Sequence, residues 1–124
     1  MSFGRDLEIA KLNLIGQTEQ QIRAALFKVA ELTIRATPVD TGRARGNWQA
    51  SINRPLLKTL ERNDKSGAGR IKRAQAVIDK VEVGNTFFLT NNLPYAVRLE
   101  FGWSKQAPTG MLRNAVAAVA RALS

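Results

Sequence analysis

The sequence predicts an α+β fold in which a long N-terminal helix and a C-terminal helix pack on a small, mainly antiparallel β-sheet. Three observations carry that prediction. Apolar residues recur at helical spacing over residues 18–36 and 111–122, they alternate at period two around Trp48 and Phe87, and a basic, glycine-containing stretch separates the two strand-like runs. The 124 residues read as a single domain, because a chain of this length hides roughly 65% of its unfolded surface, enough for one core.

The first helix is announced at Thr18, where TEQQ sets a Thr at the N-cap and a Gln at the third helical position, a reciprocal capping arrangement. Downstream, Ile22, Leu26, Val29 and Thr33 follow at intervals of four, three and four, while Gln20, Arg23, Lys28, Glu31 and Arg35 form a polar face. Pro38 disfavours the α conformation at Thr37 and ends the helix near Ala36. Leu7 to Ile15 is also apolar at helical spacing, and Gly16 is expected to break or kink it away from the main helix.

Thr37 to Gly42 reads TPVDTG, a tight connection: Pro38 fixes φ, Asp40 can fold its carboxylate onto nearby amides and Gly42 can take positive φ. Trp48, Ala50 and Ile52 then alternate with Asn47, Gln49 and Ser51, as in a strand with Trp48 anchoring its core face and the polar set facing away. Residues 54–80 hold eight basic residues and three acids, a surplus of five, around the polar, glycine-rich centre NDKSGAG. This stretch reads as a basic flexible arm or insertion, with a short helix through Ile71, Ala74, Ala76, Val77 and Ile78. Gly84-Asn85 marks a turn into a strand in which Phe87 and Leu89 alternate with Thr86, Phe88 and Thr90. Tyr95, Val97, Leu99 and Phe101 fit either a further strand or a helical turn pairing Tyr95 with Leu99, and both readings stay open. Gly102 to Pro108 is a loop, and Leu112, Val116, Val119 and Leu123 at four, three, four spacing predict the last helix. A sheet this small has exposed edges, and a neighbouring subunit is one way to cover them.

The chain has no Cys and no His, which excludes disulfides, thiolate nucleophiles, Cys/His zinc sites and imidazole-based acid–base devices. Its ten acids are scattered: Asp40 sits in a turn, Glu31 on a helix surface and Glu100 among apolar residues, and none pairs at a spacing that suggests catalysis. The run Gly67-Ala68-Gly69-Arg70-Ile71-Lys72 lacks the third glycine and preceding strand of a phosphate-binding loop. The chain therefore reads as no enzyme, with no cofactor and no metal.

What the composition does offer is charge. Nineteen Lys and Arg against ten Asp and Glu leave a formal +9, which favours anionic partners. Arg43 and Arg45 beside Trp48, and Arg54, Lys58, Arg62, Lys65, Arg70, Lys72 and Arg73 in the arm, are the candidates to meet DNA phosphates or an acidic protein. No recognised nucleic-acid motif and no array of stacking aromatics accompanies them, which favours a solvated face or an acidic protein partner. Trp103 sits in a predicted loop, where it either stands exposed or folds back over the core. No apolar run approaches the roughly 20 residues of a membrane span, and the N-terminus lacks the shape of a signal peptide, so a soluble protein made in the cytoplasm is expected.

The blocks TPVDTGRARGNW (Thr37 to Trp48) and NNLPYAVRLEFGWSKQAPTGM (Asn91 to Met111) resemble the tail-completion or neck proteins of long-tailed bacteriophages and cover about a quarter of the chain. In that family a helix precedes the TPVDTG turn, an Asn-x-x-Pro-Tyr-Ala stretch leads to a Leu-Glu-x-Gly element, and a Pro-x-Gly-Met loop opens the last helix. All of these stand here in order. The resemblance implies a non-enzymatic virion component, at the neck or tail end and in the host cytoplasm during assembly. It would form a ring, a hexamer by the family's pattern, between the tail tube or tail terminator protein and the head connector proteins, with DNA passing transiently through the lumen. It carries over no catalytic residue. Pro38, Asp40 and Gly42 would fix the turn and Trp48 would anchor the sheet, while Tyr95, Glu100, Gly102 and Pro108 would shape the second block. A carboxylate set between Leu99 and Phe101 costs several kcal/mol if buried unpaired, so Glu100 is expected to meet backbone donors or an Arg, with Arg43, Arg45 and Arg98 the candidates, within the subunit or across its boundary, and Tyr95 and Trp103 complete the candidate subunit interface. A lumen that passes DNA should not grip it, so most of the basic arm is expected to face acidic protein neighbours, with a basic nucleic-acid-binding module as the alternative reading.

Overall fold

The architecture follows from how the first helix starts and stops. In a computed structural model, which describes residues 14, 16–39, 42–93 and 111–123, Thr18 Oγ1 accepts the Gln21 N–H at 3.1 Å and Gln21 Oε1 accepts the Thr18 N–H at 2.9 Å. The expected capping box thus opens α1 (Glu19–Ala36). Thr37 leaves the helix in extended conformation ahead of Pro38, and Gly16, at φ +86°, separates α1 from the residues before it. A single turn, α2 (Arg43–Gly46), then leads into β1 (Trp48–Ile52).

β1 pairs antiparallel with β2 (Phe87–Asn91), Trp48 opposite Asn91 and Ile52 opposite Phe87, and these are the two strands of the sheet among the described residues. Between them in the chain lies α3 (Ala68–Ile78), and α4 (Leu112–Leu123) follows. The α+β class is as expected, with both terminal helices in place. The expected turn before β2 is closed by the Asn85 N–H on the Glu82 carbonyl at 3.0 Å. The open choice for residues 95–101 lies outside the described residues.

The core is built around α1. One side meets the sheet and α3 through Ala30, Ala50, Ala74 and Ile78, with Ile34, Trp48, Ile71 and Met111 forming the adjoining cluster. The other side meets α4 through Ala25, Val29, Ala115 and Val119. Ile34 and Ile78 are fully buried, each worth about 1.5–3 kcal/mol relative to exposure. The alanines let α1 lie close to both neighbours.

Residues 54–80 do not form an arm. Ile71, Ala74 and Ile78 put α3 into the core, and residues 55–60 cross the sheet's back face as a strap. Its carbonyls at Leu56, Lys58 and Leu60 are taken by side chains of Asn47, Gln49, Thr90 and Asn92. This also corrects the expectation that Asn47 and Gln49 face solvent: both are buried, because the strap covers them. No helix of the described residues is long and apolar enough to cross a membrane.

Candidate functional site

The block from Thr37 to Trp48 folds into a hydrogen-bonded knot at the end of α1. Thr37 Oγ1 donates to the Thr33 carbonyl at 2.7 Å and accepts the indole N–H of Trp48 at 2.8 Å, so one buried hydroxyl ties the helix end to the start of β1. Arg45 reaches across this junction: Nε donates to the Thr37 carbonyl at 2.9 Å, one terminal nitrogen to Lys65 at 2.6 Å and the other to Arg35 at 2.7 Å. The Arg35 carbonyl lies in the last turn of α1, where helix carbonyls lack helical partners and a cation is favoured. Arg45, expected as an interface or anion-binding residue, thus holds its own fold together. Of the other turn residues, Pro38 stands in the bend, Gly42 takes the expected positive φ of +88°, and Asp40 lies outside the described residues.

The knot receives the end of the strap. The Gly42 carbonyl accepts the Asp64 N–H at 2.9 Å, and a side chain at Gly46 would run into the Arg62 carbonyl. Asp64 in turn caps α3: Oδ1 accepts the Gly67 N–H at 3.1 Å and Oδ2 the Arg70 N–H at 3.0 Å. NDKSGAG, expected to be mobile, is therefore a built helix cap. Its carboxylate takes helix N–H groups that an anion at α3 would need.

The basic residues divide into two sets. Arg70 belongs with Arg45: its Nε donates to the Trp48 carbonyl at 3.0 Å, and its pKa is lowered by partial burial and by repulsion from Arg62 and Arg73, against the attraction of Asp64. Arg54, Lys58, Arg62, Lys65, Lys72 and Arg73 are exposed and make up the surface on which an anionic partner would act. Arg43 approaches Glu61 at 3.9 Å at the rim of the knot. The remaining interface candidates, Tyr95, Arg98, Glu100 and Trp103, lie outside the described residues.

Among the described residues no group of three or more acids is placed to hold a metal ion. The residues that sequence reasoning missed are the amides. Asn47 accepts the Leu60 N–H and donates to the Arg43 and Leu60 carbonyls, and Asn92 donates to Leu56 and Lys58. The one signal in the sequence was their kind: uncharged amides flanking the strands, Asn47 just before β1 and Asn92 just after β2, able to donate and accept where a charged side chain could not. A comparison of the chain with protein-family models, curated proteins and solved structures finds no match.

Proposed function

We propose that this chain is a structural virion protein of a phage neck, which completes the tail and joins it to the head connector. It acts by assembly alone, as a hexameric ring around the DNA path. The reading rests on the order of the two sequence blocks that resemble those of tail-completion proteins. The observation that supports it is that residues of the first block hold one another, since Thr37, Arg45 and Trp48 form one hydrogen-bonded junction. A sequence block whose members build one junction fits a scaffold that must present a fixed surface to neighbours.

The basic nucleic-acid-binding module has one observation in its favour, the six exposed Lys and Arg side chains of residues 54–73. Against it, Arg45 and Arg70 are bonded to backbone carbonyls, so part of the charge serves the fold.

Sedimentation of the purified protein and cryo-electron microscopy of virion necks test the choice. A ring in solution or at the tail end is expected. A monomer that binds duplex DNA with a log–log salt slope of about −5, the value for six phosphate contacts, and that is missing from the neck, overturns it.

A further inference from the structure

The strap that crosses the back of the sheet is bonded on alternate residues. From Arg54 to Leu60 the carbonyls at even positions are all taken: Ser51 Oγ donates to Arg54 at 2.7 Å, Asn92 to Leu56 at 2.7 Å, Gln49 to Lys58 at 2.6 Å and Asn47 to Leu60 at 3.0 Å. The Leu60 N–H turns to the same side, onto Asn47 Oδ1, and the Arg62 carbonyl lies against Gly46. A period of two is that of an extended strand, in which one residue's N–H and C=O share a side and the next residue's point the other way. The main-chain groups of Leu57, Thr59 and Glu61 therefore face away from the protein body, and among the described residues nothing bonds them. The residues along this stretch are open as well: Leu56 is 42% and Leu57 61% exposed, and Lys58 and Thr59 are exposed beside them. The strap is thus one half of a strand pair, its inner edge held by side chains and its outer edge bare.

The occupant follows from the edge and from charge. The bare edge offers N–H donors and C=O acceptors together, which another extended peptide matches and a row of phosphates, all acceptors, does not. Arg54, Lys58 and Arg62 are exposed along the strap, and Arg62 and Arg73 both repel the Arg70 guanidinium, so the positive field continues onto α3. Of the two acids between Arg54 and Arg73, Glu61 stands beside Arg43 at 3.9 Å and Asp64 caps α3. A second copy of the strap would bring like charges together, and Lys58 and Pro55 are the residue types with which edge strands resist self-pairing. We propose that the outer edge of the strap takes an extended, acidic segment of a partner protein as an added strand, bonded through the N–H and C=O groups of Leu57, Thr59 and Glu61. The inference concerns this surface alone and holds whether or not the chain forms a ring.

The probe is a fluorescent octapeptide of alternating Glu and Val, followed by anisotropy and by amide hydrogen exchange of the full chain. Submillimolar binding that weakens with salt is expected, with exchange at Leu57, Thr59 and Glu61 slowed at least about tenfold. The same peptide N-methylated at every residue keeps its charge and loses its donors, and should bind at least about tenfold more weakly. Thr59→Pro removes an N–H that bonds nothing among the described residues, so it should keep the native urea unfolding and lose binding by a similar factor. Should that variant unfold, the N-methylated peptide on the native protein decides alone. No protection of the three amides by millimolar Glu–Val peptide overturns the proposal, and so does equal binding of the N-methylated peptide or by a folded Thr59→Pro. Two other results overturn it by naming a different occupant. Protection by duplex DNA and not by the peptide gives the edge to nucleic acid, and protection without any ligand, in a protein that sediments as a dimer, gives it to a second copy.

Discussion

Thr37 is a small residue with three duties: its hydroxyl bonds to Thr33 and Trp48, and its carbonyl accepts from Arg45. Replacing it by Val keeps the shape and leaves the buried indole N–H without an acceptor, at a cost of about 1–3 kcal/mol. Thr37→Ser keeps the hydroxyl and should cost less than half as much, so urea unfolding of the two variants separates hydrogen bonding from packing. Arg45→Lys should also destabilise despite the retained charge, because a single ammonium cannot reach three carbonyls that a planar guanidinium fits. Adding salt should leave that loss unchanged, whereas a surface ion pair would weaken with ionic strength.

At the scale of the element, the strap over 55–60 joins the sheet through side chains rather than through a strand ladder. Asn47→Ala removes bonds to Arg43 and Leu60 at once and should cost about 2 kcal/mol, the cost of leaving buried backbone groups unpaired. Trypsin cleavage after Lys58 and Arg62 should be faster in that variant than in the native protein, as gel electrophoresis of timed digests would show. Gly46→Ala should produce the same digestion pattern, because its new methyl meets the Arg62 carbonyl and pushes the strap away. This element marks the boundary of what was legible. The ends of α1 could be read because Thr18, Gln21 and Pro38 act on neighbours within a few residues, and Trp48 could be read as an anchor from its bulk and alternation. The strap could not, since the partners of Asn47 and Gln49 lie 13 and 9 residues away with no period to announce them. Likewise Asp64 and the glycines around it resemble a flexible linker until Gly67 and Arg70 are seen bonded to that carboxylate.

For the whole molecule the question is where +9 of formal charge goes. The guanidinium groups of Arg45 and Arg70 are turned inward on carbonyls, and Arg23 bonds the Val81 carbonyl at 2.9 Å and Glu19 at 2.6 Å. Six exposed cations on residues 54–73 remain for partners. If an acidic neighbour meets them in the neck, reversing two of them with Lys58→Glu and Arg62→Glu should leave thermal unfolding within about 0.5 kcal/mol of the native protein. The same pair should slow head–tail joining in an extract, with the defect mimicked by raising salt in the unmodified protein. Glu100→Ala and Trp103→Ala belong at this scale too. Under the ring reading each should leave the monomer's circular dichroism and melting unchanged and lower ring formation, measured by sedimentation.

Among the described residues the strap is gripped by its carbonyls at 56, 58 and 60 and by one N–H, at Leu60. Nothing in that grip reads which side chain the strap carries, and Leu57, 61% exposed, touches little that would object to a replacement. The body of the protein can thus keep its shape while residues 56–59 are rewritten, with proline barred at position 60, where the N–H is needed. Under the ring reading, a lineage carrying this chain could exchange one neighbour for another by drifting along four positions. Evolvability here is a property of the main chain's hydrogen bonds.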